Sequence, residues 1–170
     1  KSTYQLIIED VKINGIGEIQ KRYIELEKKM REKGYFLEEN KKKLPLIIQN
    51  VGIITALNGA AIEDVKYALK SNNFSGNIFI RNCSVQGDMC SKTVCSAINY
   101  FVKNDFNLDI ILITRGGGSL EDLIGFCDED LIKEIYKCPV FIMSAIGHEV
   151  DFMLSDYVAD IRAPTPSIAG

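Results

Sequence analysis

The stretch Asp109-Ile110-Ile111-Leu112-Ile113-Thr114-Arg115-Gly116-Gly117-Gly118-Ser119-Leu120-Glu121-Asp122 runs from a β-branched apolar core through three glycines into helix-compatible, acidic sequence. A short, wholly apolar run is the pattern of a strand buried on both faces, as in a parallel sheet. A helix following at once makes it half of a βαβ unit. The same alternation extends in both directions. Strands are expected at 47–55, 77–85, 109–114 and 140–145, with helices at 59–71, 88–103, 119–136 (interrupted near Asp128) and 149–157. The expected class is therefore α/β, a three-layer α/β/α sandwich around a mainly parallel, Rossmann-like sheet. Ahead of it, Ile16, Ile19, Tyr23, Leu26 and Met30 are spaced three and four apart, one stripe of an amphipathic helix, with Gly34 as its C-cap.

The flanks are less regular. Residues 4–11 are β-rich with no partner strand nearby, and an isolated strand is marginal, so they are expected to belong to a preceding domain. Lys41, Lys42 and Lys43 read as a solvated connection. Residues 162–167 carry Pro164 and Pro166, which forbid continuing a helix. They are expected to be extended, as an edge strand or as a strap beside the site.

Composition narrows the function classes. The chain has 170 residues, 46% hydrophobic and 25% charged, with a net charge of −3. These values suit one globular domain with a real core, and they exclude fibrous and disordered classes. Apolar runs such as 110–113 are far too short to span a membrane. The five cysteines, Cys83, Cys90, Cys95, Cys127 and Cys138, are odd in number and form no C-x-x-C pair. They read as reduced thiols of a cytoplasmic protein. Residues 1–50 carry 11 basic and 8 acidic groups, and residues 51–170 carry 9 and 15. A core this acidic does not hold a polyanion by bulk electrostatics, so any work on nucleic acid must rest on local chemistry.

In open parallel sheets, ligands bind beyond the carboxyl ends of the strands. Three stretches fall there. After the first strand, Thr55 leads into Asn58, Gly59 and a helix start, with Asp64 in its early turns. This stretch lacks both the G-x-G-x-x-G and the P-loop patterns. Asp64 reads either as a carboxylate stabilised by the helix dipole or as a group on the rim. After the third strand, Arg115 offers a rigid fork for phosphate oxygens. Three glycines in a row suggest backbone amides that approach something closely, while Ser119 and Asp122 suit an N-cap arrangement. After the fourth strand comes His148, the one histidine of the chain, with Glu149 and Asp151 following. On a helix His148 and Asp151 share a face, and an imidazole oriented by a carboxylate is common proton-transfer apparatus. With one histidine, a histidine-rich metal site is excluded.

Taken in order, residues 4–10, Gly59 to Asp64, Arg115 to Asp122, Gly147 to Asp151 and Arg162 to Pro166 resemble the exonuclease VII large subunit family over nearly the whole chain. The resemblance implies that residues 1–15 hold the last strand of an OB-fold and that residues 16–170 are the nuclease catalytic domain. A C-terminal helical region carrying small subunits would lie beyond. It implies hydrolysis of single-stranded DNA from both 5′ and 3′ ends to oligonucleotides and nucleoside 5′-phosphates, in the cytoplasm. It also implies no strict metal requirement, while leaving room for Mg²⁺. The family's catalytic residues map onto Asp64, Arg115, His148 and Asp151. Gly116, Gly117, Gly118, Ser119, Thr55 and Thr165 are the expected phosphate- and substrate-binding set. In these terms Arg115 and the loop amides hold the scissile phosphate. His148 serves as base or acid, oriented by Asp151 or Asp64, and a phospho-histidine route stays open.

Two other readings compete. A Rossmann-like nucleotide phosphoribohydrolase would also have a glycine loop followed by Glu121, but its Pro-Gly-Gly-x-Gly-Thr signature is not matched. A non-catalytic single-strand-binding or assembly module would use the glycines as a turn and the Ile16 helix as an interface.

Overall fold

The strands that the sequence makes most apolar sit at the centre of the sheet. In the computed structural model, which describes residues 16–104, 106–118, 120–146 and 152–170, β1 (Asn50–Thr55), β3 (Ile110–Arg115) and β4 (Phe141–Ile146) are buried almost throughout. β2 (Asn77–Asn82) and the short β5 (Ile161–Arg162) form the exposed edges. All pairings are parallel and the order is β2-β1-β3-β4-β5.

Alternation along each central strand divides two cores. Val51, Ile53, Ile110, Leu112 and Ala145 face α2 (Ala60–Ser71) and α7 (Pro166–Ala169), meeting Ile62 and Val65. Ile54, Ile111, Ile113, Ile142 and Ile146 face the other layer. There α1 (Ile16–Glu32), α3 (Cys90–Lys103), α5 (Glu129–Lys137) and α6 (Leu154–Val158) supply Met30, Ile98, Leu131 and Leu154. The three-layer α/β/α expectation holds.

The topology also locates the crevice. β1 connects outward to β2 through α2 on one face, and β2 returns across β1 to β3 through α3 on the other. The winding therefore reverses between β1 and β3, and a crevice opens beyond their carboxyl ends.

Several local expectations need correcting. The 119–136 stretch is not one helix: α4 (Leu120–Leu123) passes into a 3-10 turn, and Asp128 then caps α5 through the Asp130 and Leu131 N–H groups. The break near Asp128 is where it was expected. Within 149–157 the described helix is only Leu154–Val158. The 162–167 segment is not extended throughout. Its first residue, Arg162, completes edge strand β5, but Pro166 then begins α7. Proline lacks an N–H that the first helical turn does not need. Lys42 is not simply solvated either; it is half-buried, and its N–H and Nζ both bind Asp160, at 2.7 and 3.0 Å. Gly34 closes α1 as expected, with φ of 76° and the Tyr35 N–H returning to the Met30 carbonyl. The strand expected at 4–11 lies outside the described residues.

Candidate active site

β3 carries Arg115 to the carboxyl edge as its last residue, in register with Ile146, the last residue of β4. One position back, the Thr114 hydroxyl donates to the Ala145 carbonyl at 3.2 Å, fixing the two strand ends together. Arg115 is only 3% exposed, which is rare for an arginine and needs compensation. Part of that comes from Asp122, whose carboxylate lies 3.3 Å from Nη2. Nη1 is buried and has no hydrogen-bond partner among the described residues. A buried guanidinium with an unanswered donor at a sheet's carboxyl edge suits an anionic ligand.

The glycine loop explains how Asp122 reaches back. A Cβ on Gly118 would collide with the Arg115 guanidinium, whereas one on Gly116 would meet nothing. Close approach is thus required at Gly118, and what approaches is the chain's own arginine. The loop folds over Arg115 and delivers Asp122 to it.

On the neighbouring strand, Thr55 ends β1 and is buried; its carbonyl accepts the Cys83 N–H at 3.0 Å. Asn82 accepts the Leu57 N–H at 3.0 Å and steadies the turn into α2. Gly59 stands at the N-cap and supplies no side-chain cap. Asp64 is exposed on α2, while Ile62 and Val65 beside it are buried against the sheet. Thr165 caps α7, accepting the Ile168 N–H, so its hydroxyl has a structural duty. Thr55, Arg115 and the start of α2 therefore share one edge. His148, Asp151 and Ser119 lie outside the described residues. Among the described residues, no three His, Cys, Asp or Glu side chains gather as a metal site. The half-buried thiols of Cys83 and Cys95 are pushed up to about 11 by burial, which keeps them protonated at neutral pH.

Two features were missed from the sequence. Asp122 was weighed only as a capping residue, although its position beyond a glycine turn could have signalled a return to Arg115. The second is a cluster just after residue 151. The Phe152 ring lies under the Arg162 guanidinium, 3.9 Å from the ring centre, and stacks at 26° on Tyr157. The Phe152 carbonyl accepts from the Tyr23 hydroxyl at 3.3 Å. The Met153 N–H donates to buried Asp156 at 2.9 Å, which also takes the Ser144 hydroxyl of β4 and lies 3.7 Å from Arg162 Nε. Burial raises the Asp156 carboxyl above its ordinary range, opposed by the Ser144 and Met153 hydrogen bonds and by Arg162.

Comparison with known proteins identifies the family. The family model described as "Exonuclease VII, large subunit" matches residues 35–170. A Shewanella sediminis protein named exodeoxyribonuclease 7 large subunit is 46% identical over 167 residues, covering 98% of this chain and 38% of the relative. Proteins of the same name from Clostridium botulinum and Geotalea daltonii are 41% and 38% identical, over 98% and 99% of this chain and 42% and 38% of theirs. The chain spans about two fifths of the length of these curated relatives. With four fifths of its residues matched by the family model and identities near 40% end to end, the chain belongs to the exonuclease VII large subunit family.

Proposed function

We propose that this chain is the catalytic domain of an exonuclease VII large subunit, hydrolysing phosphodiester bonds of single-stranded DNA from both 5′ and 3′ ends. The observation that carries the reading is Arg115, a buried guanidinium at the switch-point edge whose Nη1 has no partner among the described residues. A phosphate oxygen is the natural acceptor for it, and the Asp122 ion pair holds the fork in place meanwhile. As water attacks phosphorus, charge grows on the non-bridging oxygens, and a fixed cation stabilises it without reorganisation. His148 takes the water's proton or protonates the departing 3′-oxygen, oriented by Asp151 or Asp64. The P–O3′ bond breaks, leaving the phosphate on the 5′ side of the product.

The domain's acidic balance supports a division of labour in which flanking parts grip the strand: an OB-fold before it and a helical region after it that carries small subunits. A cytoplasmic site of action fits that partner and substrate. Among the described residues no helix is long and apolar enough to cross a membrane. The reaction is read as not strictly requiring a metal. Asp122 is engaged by Arg115, while Asp64 is exposed on α2 and would be open to an assisting Mg²⁺.

The test uses the full-length subunit assembled with its small subunit, given single strands labelled at either end and blocked at the other. Release of 5′-phosphorylated oligonucleotides from both labels is expected. Binding without product, or free base released from a nucleoside monophosphate, would replace the nuclease reading with the assembly-module or phosphoribohydrolase reading.

A further inference from the structure

We infer that Asp122 competes with the phosphate for Arg115, so that the strand binds by exchanging one anion for another on a guanidinium that stays buried. The inference deepens the nuclease reading above and rests on it for the identity of the incoming anion. The two partners of this ion pair are unequally placed. The Arg115 side chain is 4% exposed, and that of Asp122 is 42% exposed. Returning a carboxylate of that exposure to water costs little, whereas a buried guanidinium left without an anion is heavily penalised. When the pair opens, Asp122 is therefore the member that moves.

Its hold is also incomplete. The carboxylate stands 3.3 Å from Nη2, beyond the roughly 2.7–2.9 Å of a strong charge-assisted bond. Nη1 stays buried without a hydrogen-bond partner among the described residues. A phosphate presents oxygens that can answer both nitrogens of the fork at once, which Asp122 does not. Approach is limited by the backbone: Gly118 lies so close that a Cβ there would overlap Nη1, Nη2 and Cζ. The half of the pair that meets solvent is the Asp122 half, so an anion arriving from solvent meets the carboxylate first. Two anions beside one buried cation repel each other, and the phosphate stays by displacing Asp122. The exchange sets a threshold: an anion that answers one nitrogen gains nothing over the carboxylate, and one that answers both replaces it.

The experiment uses the full-length subunit assembled with its small subunit, a phosphorothioate single strand that resists cleavage, and fixed salt. Asp122→Asn keeps the size of the side chain and removes its charge. Its Kd is expected to fall roughly three- to tenfold below wild type, and KM for a cleavable strand to fall with it. Structural damage would move both the other way. Because losing any acid favours a polyanion, Asp130→Asn serves as control, removing an exposed carboxylate of α5; its Kd is expected to move less than about twofold. In an Arg115→Ala background Asp122→Asn is expected to bring no gain, since the exchange acts through that guanidinium. An unchanged or weaker Kd in Asp122→Asn, an equal gain in Asp130→Asn, or a gain that survives Arg115→Ala overturns the inference. Should Asp122→Asn not fold, Asp122→Ser carries the same comparison. If the wild-type assembly binds the strand and cleaves nothing, the nuclease reading fails, and the Kd comparison still decides the exchange.

Discussion

The two edges of the sheet both hold charge, and they treat it in opposite ways. At the amino edge, Asp109 takes the Gln49 and Asn50 N–H groups at 2.7 and 2.8 Å. Asp160 takes the Ile142 N–H at 2.7 Å, the Lys42 N–H and the Lys42 ammonium. At the carboxyl edge, Arg115 has one carboxylate partner and one donor left unanswered among the described residues. A buried charge that the fold itself satisfies ties elements together. A buried charge left incomplete costs stability and prepares a place for a ligand to complete it.

The contrast is broken most forcefully by removing each charge in turn. Arg115→Ala is expected to lower cleavage by a hundredfold or more, about 3 kcal/mol of barrier. Its melting temperature should stay close to wild type, because the group removed was incompletely satisfied. Single-turnover rates and a thermal melt measure both, and a large drop in melting temperature with activity preserved would reverse the assignment. Asp160→Ala should do the opposite, losing about 3 kcal/mol of stability with little change in rate per folded molecule. Urea titration of both variants sets the two edges side by side.

Gly118→Ala sharpens the comparison within the carboxyl edge. The added methyl group must push the guanidinium aside, so a roughly tenfold fall in rate is expected, with Gly116→Ala nearly silent. Equal effects at both glycines would mean that the loop, and not Arg115, is the sensitive element. The smallest effect concerns acid. Glu129 ties α5 to α1 through Lys29 at 2.6 Å, and Lys133 and then Lys29 hold its carboxyl down at about 2. A lowered folded value means that the contribution is complete above the ordinary value of 4.5 and fades as pH falls toward about 2. Melting curves across that window should show an acid-dependent loss that Glu129→Gln removes; identical slopes in the two proteins would refute the pairing.

The interior of the sheet was legible because it is local. Runs such as 110–113 and the helical stripe through Tyr23, Leu26 and Met30 are periodicities that backbone geometry turns directly into elements. Arg115 could be singled out from its place between a strand and a glycine loop. Its carboxylate partner could not, because Asp122 was equally well explained as a capping residue until the loop was seen to fold over the guanidinium. Pro166 was misjudged because a proline that ends one helix can as readily begin another. Lys42 was read as solvated because Asp160 lies 118 residues away.

What the amino-acid order determined on its own was the alternation of strand and helix, the two-sided burial of β1, β3 and β4, and the sheet edge at which Thr55 and Arg115 stand. These follow from side-chain period and chain direction, which act over a few residues. Only the tertiary structure decided that Arg115 would be buried and half answered, that Asp122 would return to it, and that Asp156 and Arg162 would gather beside Phe152. Those pairings depend on which strands lie side by side, and strand order is settled by the packing of two cores rather than by any short stretch of sequence.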